Sequence, residues 1–268
     1  MSVRERRTVF GEAADEYDRV RPGYPRQLAD DLLAEAAPGP VLEVGAGTGK
    51  ATALFARPGV DLTCVEPDAR MARVLRRNVP GVTVVESSLE EWRPDRPYGL
   101  VFSAQAWHWV DPARRADLAL GALATGGLFA PFWNLFLVAD PALHAALAEV
   151  DARHGLVEDT SHRFPATENA GTESAGTENA MRAEFEQELP SAGLTDERFT
   201  APEIRRYERT LTYDARAYRD YLSTVSMYRI LEPAAAEAAL ADTASAIEQH
   251  GGHITFLVVT DVALVRKR

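Results

Sequence analysis

The chain has 268 residues, and its 46% hydrophobic content supplies a core for one large α/β domain or for a domain with a helical cap. A formal net charge of −11 repels phosphate-rich partners on average and argues against nucleic acid, leaving the basic run Arg4–Arg7 as a solvated helix beginning. With one cysteine, no apolar run near the roughly 20 residues a bilayer requires and a charged N-terminus, the chain is expected to lack an internal disulfide, to avoid membranes and to work in the cytoplasm.

In chain order, residues 24–37 read as a helix with Leu28, Leu32 and Leu33 on one side, stopped by Pro38-Gly39-Pro40. Strands are expected at 41–44, 61–65, 82–85, 98–103 and 128–133. Helices are expected at 50–56, at 68–78 with Asp68 as its cap, and from Asp111-Pro112 to Gly126-Gly127. This alternation implies a mainly parallel sheet with right-handed crossovers.

Beyond residue 138 the character changes. A helix opens at Asp140-Pro141 and ends near Gly155, and a five-residue repeat over 167–180 reads as a small, polar surface insertion. Then come a short helix at 185–189, a strand with turns over 198–212, helices at 214–230 and 233–250, and a last apolar strand at 254–265. The whole is expected to be one domain, 1–268. Its segments are an N-terminal helical part to 37, a core over 38–137, an insertion with lid helices over 138–250, and the last strand from 251.

The informative stretch is Glu43-Val44-Gly45-Ala46-Gly47-Thr48-Gly49, with Glu66-Pro67 closing the next strand. Glycines let backbone approach a ligand where a Cβ would collide. An acidic side chain about 20 residues further on suits a grip on two ribose hydroxyls. The phosphate-binding P-loop spacing fails, because Val44 stands where its first glycine should be and Ala51 where Ser or Thr should be. The dinucleotide fingerprint fails at Lys50 and Thr52.

The remaining Glu-x-Gly-x-Gly-x-Gly pattern, with Glu66 behind it, resembles motif I of the class I S-adenosylmethionine (SAM)-dependent methyltransferases. Phe10-Gly11-Glu12-Ala13-Ala14, Tyr17-Asp18, Arg21-Pro22-Gly23-Tyr24-Pro25 and Ala106-Trp107-His108-Trp109-Val110-Asp111 resemble the "type 11" small-molecule branch. The resemblance implies a Rossmann-like, mostly parallel seven-stranded sheet with an antiparallel last strand and a helical lid over the site. It implies SAM as cofactor.

Under that resemblance Glu43, Gly45, Ala46, Gly47 and Gly49 shape the loop beside the cofactor, Glu66 accepts from the ribose, and Pro67 follows it. Met71 either packs near the adenine or is plain core. Ser88 stands where the family often has an acid for the adenine amino group, with Leu89 beside it and Glu90 as a further acceptor. Gln105 follows the fourth strand. The N-terminal segment folds over the cofactor, so Tyr17 and Arg21 are cofactor contacts, Arg21 through the cofactor carboxylate. Tyr24, Trp107 and Trp133 are placed at the substrate, with the proviso that Trp107 and Trp109 cannot both point inward.

His108 is the candidate general base, with orientation of its neighbours as the alternative. A carboxylate acceptor would need no base, and a hydroxyl would need one. The histidines match no zinc spacing, so no metal is expected. The expected reaction is in-line SN2 transfer of the sulfonium methyl to a carboxylate or hydroxyl of a small molecule. The rivals are a SAM-binding enzyme doing other chemistry, such as cyclisation, and a nicotinamide oxidoreductase.

Overall fold

A computed structural model describes residues 10–156, 162, 164–166, 186–187, 189–190 and 192–268. The basic run, the repeat and most of the short helix expected at 185–189 fall outside the described residues.

The chain divides into two compact units. One comprises residues 22–134, 183–207 and 260–268, and is called here the sheet unit. It carries α2 of the chain (Arg26–Glu35), β1 (Val41–Val44), α3 (Thr52–Phe55), β2 (Leu62–Val65), α4 (Ala69–Asn78), β3 (Thr83–Val85), β4 (Tyr98–Ala104) and α5 (Arg115–Ala122). It also carries the first part of β5 (Leu123–Val138), the start of β7 (Glu203–Asp214) and the end of β8 (His253–Arg266).

The other, helical unit comprises residues 1–21, 135–182 and 208–259. It holds α1 (Ala14–Val20), α6 (Pro141–His154), α7 (Ala215–Ser223), α8 (Ser226–Ile230), α9 (Pro233–Gln249) and the remaining parts of β5, β7 and β8.

The strand order is β3-β2-β1-β4-β5-β8-β7, parallel from β3 through β5, with the last strands antiparallel. The sheet has an eighth member beyond the expected seven: a two-residue β6 (Phe164–Pro165) pairs in parallel with Leu137 and Val138. Every residue of β1 is buried. Its side chains alternate between two apolar clusters: Val41, Leu100, Phe102, Ala130 and Phe132 share one with Leu28, Leu32 and Phe55 of the helices, and Leu42, Val44, Val101 and Phe129 share the other. That two-sided burial is what a parallel sheet between helices requires. Phe55 stacks on Phe102 at 3.9 Å and the Thr52 hydroxyl donates to Glu43, so a helix of only four residues is tied to the sheet at both of its ends.

Helix α4 begins where its sequence says it should. Asp68 accepts from the Arg70 amide at 2.8 Å, Arg76 and Arg77 occupy the last turn, and Met71, Ala72, Val74 and Leu75 are buried. Strand β5 departs from expectation. It starts at Leu123, through the glycine pair expected to end a helix, because the register slips between Tyr98 and Leu100 and the surplus residues form a bulge. In the helical unit the single helix expected over 214–230 is two, α7 and α8, broken at Thr224-Val225.

Candidate active site

The site assembles at the carboxyl ends of β1, β2, β4 and β5, where parallel sheets present loops to ligands. The backbone turns after Val44 with Gly45 at φ 71° and Gly47 at φ 58°. The two glycines serve different ends. A Cβ on Gly45 would lie 2.4 Å from the Ala106 Cβ, so that glycine allows the β1 and β4 loops to touch. A Cβ on Gly47 would meet nothing within 4 Å, so that glycine borders open space. Gly49 packs against Leu75, and Ala46 is buried.

Glu66, 6% exposed, stands at the tip of β2. Its Oε2 accepts the Gly47 amide at 2.8 Å, and its Oε1 accepts the Asp68 amide at 2.9 Å. Burial pushes its carboxyl pKa up, opposed by those two amides, Asp68 before Gly47. Each oxygen keeps a lone pair for a further donor. Pro67 is exposed and Met71 is buried in the α4 face.

Glu43 lies deeper. Its Oε2 accepts the Thr52 hydroxyl at 2.6 Å and sits 3.8 Å from the Cys64 thiol. Burial, the largest influence, pushes the carboxyl pKa up to about 8 against the hydrogen bonds from Thr52 and Cys64. The Cys64 thiol is pushed up in turn, chiefly by burial and then by Glu43. Glu43 Oε1 and Thr48 Oγ1 are buried beside the loop with no hydrogen-bond partner among the described residues.

On β3's side, Ser88 Oγ accepts the Glu91 amide at 3.3 Å, capping a turn, and Leu89 is buried. Glu90 Oε1 accepts the Asp111 amide at 2.8 Å, which ties the β3 and β4 loops together.

After β4, Gln105 is the non-glycine residue with positive φ, 54°, among the described residues. A strained backbone at the end of a central strand is a common mark of a ligand-positioning residue. Its Nε2 donates to the Asn134 carbonyl at 3.1 Å. Asn134, 8% exposed, in turn accepts the Thr260 hydroxyl at 2.6 Å and reaches the Gly23 carbonyl at 3.5 Å. This Gln105–Asn134–Thr260 chain escapes the sequence reading, because the expected strand five stops at Trp133.

Of the aromatic residues, Trp107 must be corrected. It is wholly buried, its ring lies 4.6 Å from Phe129, and its indole donates to the Ala192 carbonyl at 2.9 Å. It is core, and cannot face a substrate. Trp133 is half-buried and its Nε1 donates to His108 Nδ1 at 3.4 Å, with His108 exposed. Tyr24 is half-buried, edge-on to Phe132 at 5.0 Å. Tyr17 and Arg21 belong to the helical unit, where Arg21 binds Thr224 and the rings of Tyr17 and Tyr221.

Among the described residues no cluster of three His, Cys, Asp or Glu side chains suits a metal ion, and no helix is long and apolar enough to cross a membrane.

Residues 41–127 match the model of a methyltransferase domain. The chain is 40% identical over 134 residues to an uncharacterised methyltransferase of Mycobacterium bovis, covering 50% of this chain and 55% of that protein. It is 32% identical over 121 residues to a trans-aconitate 2-methyltransferase of Rhodopseudomonas palustris, covering 43% and 45%. The chain thus spans about half the length of the curated relatives it matches. Among solved structures, a type II methyltransferase of Anaeromyxobacter dehalogenans shares the fold, with a TM-score of 0.61 at 24% identity over 92% of this chain and 97% of that one. The YcgJ protein of Bacillus subtilis aligns with a TM-score of 0.51 at 17% identity, over 90% and 97%. Residues 41–127 are thus similar to a methyltransferase domain, and the strand order is the one shared with the solved methyltransferase fold.

Proposed function

We propose that this chain binds SAM on the Gly45–Gly49 loop and methylates a carboxylate oxygen of a small organic acid. The observation that carries the binding half is the pair formed by Gly47 and Glu66. The open side of the loop lies at Gly47, and the buried carboxylate that fixes the Gly47 amide retains lone pairs for two ribose hydroxyls. SAM has no phosphate, so a loop lacking P-loop chemistry but carrying an acceptor suits it.

When bound, the donor supplies a methyl on a sulfonium, whose C–S electron pair stays with sulfur as the acceptor oxygen gains its C–O bond. The protein's share is to hold and orient. Glu66 fixes the loop, the Gln105–Asn134–Thr260 chain holds the β4 and β5 ends in register, and positioning of this kind is worth several kcal/mol of barrier.

Two observations favour an acid over a phenol or alcohol. The first is that the Trp133 indole donates to His108 Nδ1 at 3.4 Å, which occupies one of the two ring nitrogens a base would use. An ionised carboxylate needs no base. The second is the likeness to a protein named a trans-aconitate 2-methyltransferase. The test is incubation with methyl-labelled SAM and a panel of carboxylic acids, phenols and alcohols. Label in base-labile esters of acids is expected, and label confined to phenols or alcohols, or to none, would refute the assignment.

A further inference from the structure

The turn that carries His108 is clamped by a residue outside every motif of the sequence. Trp107–Trp109 forms a three-residue 3₁₀ turn between β4 and α5. It closes with the Trp109 amide on the Ala106 carbonyl at 3.0 Å and the Val110 amide on the Trp107 carbonyl at 3.1 Å. The carbonyls that follow have no continuing helix to serve them. Arg115 serves two of these. Its Nε donates to the Val110 carbonyl at 2.7 Å and its Nη2 to the His108 carbonyl at 2.9 Å. One planar guanidinium thus fixes the carbonyls on either side of Trp109.

Nothing about α5 itself calls for that residue. Arg115 opens the helix, where a cation faces the positive end of the macrodipole. At 8% exposure it is also buried, which costs a guanidinium much of its hydration. Its surroundings nonetheless lock it in place. A Cβ on Gly193 would lie 3.2 Å from the Ala116 amide nitrogen and 3.5 Å from the Arg115 Cβ, so the 192–194 segment lies close against this first turn. From the same segment the Ala192 carbonyl accepts the Trp107 indole at 2.9 Å. On the other flank the Asp111 amide is tied to Glu90. Between these anchors His108 is the exposed side chain of the turn. Its carbonyl is held by Arg115, and its Nδ1 receives the Trp133 indole at 3.4 Å. Every group in this arrangement lies in the sheet unit, as do the glycine loop and Glu66.

We infer that Arg115 is a positioning residue of the transfer site: by clamping the His108 and Val110 carbonyls it holds the His108 ring against Trp133 at the carboxyl ends of β4 and β5, and so fixes the pair that orients the methyl acceptor. The clamp follows from the hydrogen bonds, and its consequence for the acceptor rests on the methyl-transfer proposal. Arg115 touches no reacting atom and acts only through His108.

The test compares the full wild-type chain with Arg115→Met, which keeps a long stem and loses every donor, and with Arg115→Lys, which keeps the charge and loses the fork. His108→Ala is made alone and combined with Arg115→Met. One readout is the Trp133 indole N–H resonance, identified by its loss in Trp133→Phe. The other is steady-state kinetics with SAM and an acid that the wild type methylates. In Arg115→Met the indole resonance should move toward its position in His108→Ala. The acceptor KM should rise about tenfold or more, with kcat lowered far less and SAM affinity unchanged, and Arg115→Lys should fall between. In the His108→Ala background, Arg115→Met should add nothing further to KM. An unmoved indole resonance, a lower melting temperature with an unaltered KM, or the same rise in KM with and without His108 would each overturn the inference. Should Arg115→Met fail to fold, Arg115→Lys carries the test through the same readouts. If the wild type methylates no acceptor, the methyl-transfer proposal falls, and the indole resonance alone decides whether Arg115 holds His108.

Discussion

Replacing Glu66 by alanine is expected to weaken SAM binding at least tenfold, about 1.4 kcal/mol. The figure follows from what the carboxylate does. Its two oxygens are fixed at 2.8 Å and 2.9 Å by the Gly47 and Asp68 amides, so they are aimed before any ligand arrives. A hydrogen bond to a charged acceptor is worth about 1.5–3 kcal/mol net, and two ribose hydroxyls would make two. Loss of the Gly47 tether would loosen the loop and add to the cost. Glu66→Gln keeps one acceptor oxygen but sets an NH₂ group against a backbone donor, and should fall between wild type and Glu66→Ala. Calorimetric titration of the three proteins with SAM at one pH and salt concentration measures this. Wild-type affinity in Glu66→Ala would refute the reasoning, because a carboxylate so held that contributes nothing cannot be a ribose ligand.

The glycines should separate by readout: Gly45→Ala forces a contact 2.4 Å from the Ala106 Cβ at φ 71° and should lower the melting temperature strongly, while Gly47→Ala meets open space and should cost roughly 1 kcal/mol of stability but impair SAM binding. Equal melting temperatures for the two would contradict this. Glu43, with its carboxyl pKa raised to about 8, is neutral in both folded and unfolded chains below pH 4.5. Stability should therefore fall as pH climbs from there toward 8, by at most about 1.4 kcal/mol per unit. Urea midpoints at pH 5.5 and 7.5 should show a drop that Glu43→Gln flattens, and a parallel drop in both proteins would refute it. The Cys64 thiol, buried and pushed up, should resist alkylation at pH 8 until the chain unfolds. His108→Ala should retain turnover on a carboxylate acceptor at neutral pH, and its loss with a flattened pH profile would restore a base.

What the sequence showed most clearly was set by local chemistry. The apolar run Val41–Val44 and the capped helix Ala69–Asn78 lie where their residues place them, as does the long helix opening at Pro233. Glu66 and the glycine loop were legible because a turn and a strand tip lie close in sequence as well as in space. What was not legible depends on tertiary context. Gly126-Gly127 signals a stop, yet pairing with β4 absorbs the pair in a bulge and carries β5 on past Asn134. Nothing near Asn134 in sequence announces its partners, since Thr260 and Gly23 are both far from it along the chain. Trp107 and His108 sit one residue apart, and only the packing of Phe129 and the Ala192 carbonyl decides which is buried. Arg21 likewise meets Tyr221 and Thr224, both far from it along the chain.

The most direct measurement of the central claim is a crystal structure of the chain with S-adenosylhomocysteine. The nucleoside should lie against the Gly45–Gly49 loop with both ribose hydroxyls on the Glu66 carboxylate. Density elsewhere, or a bound ribose that leaves Glu66 untouched, would contradict the account.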